Sequence, residues 1–262
     1  MIIKAIARRV LPLYLRKVIN NIGYIRKISL LKIRHSELSA ITSPDDDLGC
    51  INGKILTPKL TKWINKAFEN KIVVKYKKQN SFLYNVFPGE HYRLLAGMVK
   101  EEESKLIVEI GTYTGMSSRV ILDNTEESTK LYTFDIIEWN KFDSHLSESD
   151  FKNNRFEQII SDLSSRQEFD KYFSILDKAD IIFCDGPKDS KFEYEFIRLL
   201  SRVELTKKNR YLIFDDIKFL NMIKLWRSIE SPKIDATSFG HWSGTGIVDI
   251  SSNLKVNYEI LD

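Results

Sequence analysis

The chain has 262 residues, 43% of them hydrophobic and 29% charged, which describes an ordinary soluble globular protein with room for one large domain and an accessory segment. The net charge of +4 is unevenly spread: residues 1–36 carry nine Lys or Arg and no acid, leaving 31 basic against 36 acidic residues elsewhere. A mildly acidic body gives no argument for nucleic-acid binding, and two cysteines, Cys50 and Cys184, exclude a zinc motif or a disulfide framework and point to a reducing cytoplasmic compartment.

In the N-terminal arm, Leu15, Val18, Ile19, Ile22, Ile25 and Ile28 recur at helical spacing between cations. No run is long enough to cross a membrane, and charges interrupt every stretch a signal peptide would need. A basic amphipathic helix over residues 1–34 suits peripheral contact with an anionic membrane surface, at its inner face. It equally suits packing on the core or on a second subunit of a homodimer, and a targeting arm is a third reading. Residues 36–57 read as a polar, turn-rich connector, with Asp45–Asp47 as a solvated run rather than a metal cluster. The division is therefore an arm and connector over 1–57 and one domain over 58–262.

Thr57-Pro58 predicts a helix start, with Leu60, Trp63, Ile64, Ala67 and Phe68 on its apolar face. A second helix is expected after Pro88-Gly89, with Tyr92, Leu95, Ala96 and Val99 inward. Then comes Leu106–Ser118, LIVEIGTYTGMSS: a short apolar run bounded by glycine and running into a helix. Gly111 and Gly115 permit a sharp turn and the close approach of a ligand, which the N–H groups of the new helix would face.

Strands and helices alternate from there. Leu131–Phe134 ends at Asp135, Phe156–Ser161 at Asp162, Ala179–Cys184 at Asp185, and Arg210–Phe214 at Asp215-Asp216. Phe192, Phe196, Leu199, Leu200 and Val203 mark one helix. Phe219, Met222, Ile223, Trp226 and Ile229 mark another, which Pro232 stops. The tail holds β-like stretches around Ser238–Gly246 and Ile247–Ile250. This alternation implies βαβ units and a mostly parallel α/β sheet. A carboxylate at the end of every strand candidate suggests a lined crevice, because ligands of open α/β sheets bind beyond the carboxyl ends of the strands.

The Glu109-x-Gly111-x-x-x-Gly115 spacing is neither the dinucleotide fingerprint nor a Walker loop. It resembles motif I of the class I S-adenosylmethionine-dependent methyltransferases, and EIGTYTGMSS resembles the catechol O-methyltransferase branch. The resemblance covers roughly residues 88–250. It implies a Rossmann-like sheet with helices on both faces, an antiparallel last strand and an N-terminal helical extension. It also implies that Glu109, Gly111, Tyr113, Gly115 and Ser117 hold the methionine portion of S-adenosylmethionine, that Asp135 binds the ribose hydroxyls, and that Asp162 meets the adenine edge. Asp185-Gly-Pro-Lys188 followed by Asp215-Asp216 is similar to the magnesium site and base of the metal-dependent catechol-type enzymes, with Asp216 in place of the usual Asn. The acid pair also looks like the macrolide sugar O-methyltransferases. By that resemblance Asp185, Asp215 and Asp216 bind Mg2+ and Lys188 is the base.

His241 and Trp242, in SFGHWSGTG, offer a second base and a platform for an acceptor ring, or a packed hairpin. His35, His91 and His145 show no ligand spacing. The expected activity is O-methylation of a small hydroxylated acceptor, a sugar or glycan unit first and an aromatic diol next. A metal-independent enzyme, a nucleotide-sugar enzyme and an inactive membrane-associated binding module remain open alternatives.

Overall fold

The computed structural model describes residues 50–69, 90–189, 191–206 and 208–261. The basic arm, its membrane and dimer readings, and Asp45–Asp47 lie outside the described residues. In chain order the elements are α1 (Cys50–Glu69), α2 (Glu90–Glu101), β1 (Leu106–Ile110), α3 (Met116–Asn124), β2 (Lys130–Asp135), β3 (Phe156–Ile160), α4 (Arg166–Lys178), β4 (Ile181–Cys184), α5 (Phe192–Leu200), β5 (Tyr211–Asp215), α6 (Met222–Ser228), β6 (Lys233–Asp235), β7 (Thr245–Asp249) and α7 (Tyr258–Leu261).

The seven strands form one sheet in the order β3-β2-β1-β4-β5-β7-β6. Strands β1 to β5 run parallel, and β7 inserts antiparallel between β5 and β6. Chain direction across the sheet reverses between β1 and β4, so their adjoining carboxyl ends form the topological switch point where open α/β sheets bind ligands.

Two-residue periodicity sorts the core into two layers. Val108, Ile110, Ile182, Cys184, Leu212, Phe214 and Val248 pack on one face, against Phe169, Leu176, Phe196, Leu200 and Trp226 of α4, α5 and α6. Ile107, Ile181, Phe183, Tyr211, Ile213 and Ile247 face the other way, onto Leu56, Leu60, Trp63, Leu94, Leu95 and Met98 of α1 and α2. Continued one step, the second register sends Asp215 toward α2.

Three expectations are corrected. The first helix begins at Cys50 rather than Thr57 and carries Pro58 inside it. Leu56, Leu60 and Trp63 form one buried stripe across that point, so packing of an earlier turn outweighs the hydrogen bond that proline removes. Ser238–Gly246 is not a strand. It holds a short 3-10 turn, Thr237–Phe239, and a loop into β7, while the partner strand is Lys233–Asp235. Gly244, at φ +112, sits in a backbone region closed to a strand, and a Cβ there would press on Ile217. The helix expected from Phe219 begins at Met222.

Candidate active site at the carboxyl ends of the strands

The β1 to α3 loop opens the site. Gly111 has φ +97, and its α-carbon lies against the carbonyl of Asp185, leaving no space for a Cβ. The Gly111 N–H donates to the Phe134 carbonyl at 2.8 Å, so the loop bridges the ends of β1, β2 and β4. Asp135 accepts from the backbone N–H of Tyr113 (2.9 Å) and of Ile137 (3.0 Å). Its carboxylate is thereby fixed by the loop it faces, with lone pairs to spare for a ligand. Asp162 is held more locally, accepting from the Ser164 N–H at 2.9 Å and hydroxyl at 2.6 Å. A cleft of about 770 Å³ lies over these groups, lined by Gly111, Tyr113, Asp135, Asp162, Asp185 and Lys188 among others.

Glu109 stands behind this cleft. It is fully buried on β1, accepting hydrogen bonds from the hydroxyls of Ser118 and, at 2.6 Å, Thr133. Burial pushes its carboxyl up to about 7 despite those donors and the nearby Ser117 hydroxyl. Glu109 thus ties the first turn of α3 to β1 and β2, with Ser117 buried beside it and Gly115, in the left-handed conformation, preceding the helix. None of these three lines the cleft.

The other end of the cleft is a charged cluster. Lys188 Nζ pairs with Asp185, lies 3.1 Å from Asp216 Oδ2 and 3.8 Å from Asp215 Oδ2. Burial disfavours its charge, but the three carboxylates dominate and hold it protonated well above the usual lysine range. Its backbone, at φ +52, is secured by donation of its N–H to the buried Glu193 Oε1 at 2.7 Å. Burial and the neighbouring Asp215 raise the pKa of Asp185. Burial acts the same way on Asp215, yet His91, His241 and Lys188 around it bring its carboxyl far below the usual range. Asp216 adopts φ +62, a left-handed backbone that Asp and Asn tolerate best among side-chain-bearing residues.

The loop before β7 is laced to the segment after β5. Ile217 N–H donates to the Gly244 carbonyl at 3.3 Å, and Lys218 N–H to the Ser243 carbonyl at 2.8 Å. This places Ser243 Oγ and His241 Nδ1 on Asp216 Oδ1, the latter at 3.0 Å, and His241 Nδ1 also 3.3 Å from Asp215 Oδ1. Burial opposes its charge, but the two aspartates push the His241 imidazole up to about 10. Trp242, the next residue, is 76% exposed and packs edge-on against the His241 ring.

The structure therefore brings Asp185, Lys188, Asp215, Asp216 and His241 together, and Gly111, Tyr113, Asp135 and Asp162 around the adjoining cleft. One neighbour of the cluster escaped the sequence reading: His91, on the first turn of α2, is 5% exposed and puts Nδ1 3.3 Å from Asp215 Oδ1. No spacing announces it, since it lies more than a hundred residues from its partner. The one usable signal was strand register, which points Asp215 at the helix layer containing α2.

Residues 108–217 match the model of a family described as Methyltransferase domain, a span from within β1 to just past the Asp215-Asp216 pair. Similar solved structures include a Staphylococcus aureus protein provisionally described as a caffeoyl-CoA O-methyltransferase, at 14% identity and TM-score 0.46, covering 78% of this chain and 99% of that one. An O-methyltransferase from Bacillus cereus in complex with SAH is similar at 13% identity and TM-score 0.41, over 76% of this chain and 96% of that one. A methyltransferase from Geobacter sulfurreducens is similar at 17% identity and TM-score 0.44, over 72% and 90%. No curated protein matches the chain. Over residues 108–217 the chain is thus similar to a methyltransferase domain. Among the described residues no helix is long and apolar enough to cross a membrane.

Proposed function

We propose that this protein transfers the methyl group of S-adenosylmethionine to a hydroxyl of a small acceptor, with a divalent cation assisting. The observation that carries the reading is one cleft, within the span that matches a methyltransferase-domain model, with Asp162 and Asp135 toward one end, Gly111 between, and Asp185 and Lys188 toward the other. A cofactor laid along it would meet a fixed acceptor for ribose hydroxyls at Asp135, the close backbone of Gly111, and Asp162 at the adenine end. Glu109, Gly115 and Ser117 would serve the methionine portion from behind, by shaping the loop and the first turn of α3.

The carboxylate cluster fits a hard cation. Ligand oxygens of Asp185, Asp215 and Asp216 all lie within 4.8 Å of one another. One ammonium faces all three acids. Such an oxygen set suits Mg2+ or Mn2+. When bound, the cation lowers the pKa of a coordinated hydroxyl and fixes its direction. The chain's own part is to align the acceptor and take its proton. Lys188 Nζ is placed for that, and becomes a base once other positive charge shares its three carboxylates. Trp242 offers an open ring face to a sugar, our preferred acceptor, or to an aromatic diol.

Titration calorimetry with S-adenosylhomocysteine tests the reading. A Kd near micromolar, about −8 kcal/mol, is expected for the wild type. Asp135→Ala should weaken it by roughly 30- to 100-fold, the worth of lost charge-assisted hydrogen bonds. Absence of binding by the folded wild type overturns the proposal.

A further inference from the structure

The all-carboxylate cluster has an imidazole-bearing neighbour that the methyl-transfer reading does not use. We infer that His91 Nδ1, His241 Nδ1 and Asp215 Oδ1 form a second cation site, selective for a divalent transition-metal ion over magnesium.

Three observations support it. First, the ligand atoms converge: both imidazole nitrogens are 3.3 Å from the same Asp215 oxygen, and all three atoms lie within 4.8 Å of one another. Metal–ligand bonds of about 2.1 Å place adjacent ligand atoms about 3.0–3.4 Å apart in octahedral or tetrahedral coordination. Second, His91 and Asp215 meet as an ion pair at 3.3 Å that lacks hydrogen-bond geometry. His91 Nδ1 and Asp215 Oδ1 face each other, both buried, and neither has a hydrogen-bond partner. Buried polar atoms are seldom left this way unless something else joins them. The remaining nitrogen, Nε2, also lacks a partner, in surroundings that include Leu94, Met98, Phe183 and Ile213, so no other hydrogen bond explains the ring's placement.

Third, the rings are held in place by packing. His91 lies 4.2 Å from the Tyr92 ring and 5.3 Å from Phe183, and meets His241 edge-on at 5.6 Å between centroids. The backbone lacing around Gly244 fixes His241 from the opposite side. Two imidazoles and one carboxylate suit manganese, iron, cobalt or zinc, whereas magnesium prefers oxygen alone. Three protein ligands leave coordination positions open toward the partly exposed His241 side.

The inference shares Asp215 with the proposed magnesium cluster but is independent of methyl transfer, since the ion is titrated without cofactor or acceptor. The chelator-treated full chain is titrated with Co2+ alone, followed by its visible absorption and by calorimetry, and separately with Mg2+ alone. Wild type should bind Co2+ with absorption bands of mixed nitrogen and oxygen coordination. His91→Gln and His241→Gln should each weaken Co2+ at least tenfold and leave Mg2+ binding no weaker than in wild type. Asp185→Asn should show the reverse selectivity. Circular dichroism checks folding, and if His91→Gln does not fold, His241→Gln, at a partly exposed position, decides. Unchanged Co2+ affinity in the folded histidine variants, or equal losses of both ions in every variant, overturns the inference. Loss of S-adenosylhomocysteine binding would not bear on it.

Discussion

The two halves of the cleft hold their carboxylates by opposite means. On the β1 to β3 side, Asp135 and Asp162 accept from backbone N–H groups, Asp135 from the facing β1 loop and its own, Asp162 from its own. On the β4 to β7 side, Asp185, Asp215 and Asp216 are gathered by side-chain cations: Lys188, His91 and His241. Backbone donors make a neutral cradle that can accept a polar ligand without rearranging. Converging carboxylates balanced by cations form a store of negative charge, and the occupant that best satisfies it is another cation.

Breaking the second half should leave the first intact. Asp215→Ala removes the acid common to both candidate cation sites, and turnover should fall by at least about a hundredfold. S-adenosylhomocysteine affinity, read by calorimetry, should stay within roughly twofold because no atom of the cofactor end is touched. A parallel loss of both would show that the halves are one coupled unit.

Glu109 sharpens the contrast from within the first half. Its carboxyl is raised from 4.5 to about 7 by burial, so the folded state binds a proton there that the unfolded state has released. Stability should therefore fall as pH rises through that window, by up to about 3 kcal/mol. Glu109→Gln keeps an acceptor for Ser118 and Thr133 and removes the charge. Urea unfolding should show the variant gaining on wild type between pH 5 and pH 8, with little difference near pH 4. A constant difference across that range would mean that the carboxylate is not desolvated.

The smallest effect is expected at the rim. Trp242 is 76% exposed, so Trp242→Ala should shift stability by no more than about 0.5 kcal/mol. The acceptor KM should nevertheless rise by roughly three- to tenfold with little change in kcat, as lost ring stacking would give. An unchanged KM would remove Trp242 from the acceptor site.

Legibility in the sequence follows the range of the interaction. Gly111, Asp135, Asp185 and Asp215 could be placed because each sits at the end of an apolar run, and parallel sheets collect those ends along one edge. His91 could not, because only the tertiary packing of α2 on the sheet brings it to Asp215. The opening of α1 was misplaced because Pro58 reads locally as a start, whereas Leu56, two residues earlier, is already buried within the helix. The stretch Ser238–Gly246 was expected to be β-like, yet Gly244 at φ +112 makes a loop of most of it, with β7 beginning only at Thr245. Residues 166–178 went unassigned, although Phe169 and Leu176 are buried on one face of α4.

The insertion of β7 between β5 and β6 has a consequence for assembly. As the chain emerges in synthesis, Asp185, Asp215 and Asp216 are all made before His241 and Ser243, and the lacing of Gly244 to Ile217 forms only when β7 closes on β5. If the sheet edge formed early, the three acids would be balanced by Lys188 and His91 without His241. The cluster's full set of partners is thus available only once the last strand is in register. A chain shortened before residue 245 would keep every member of the cluster and lose β7, the strand whose pairing with β5 holds the His241 loop against it.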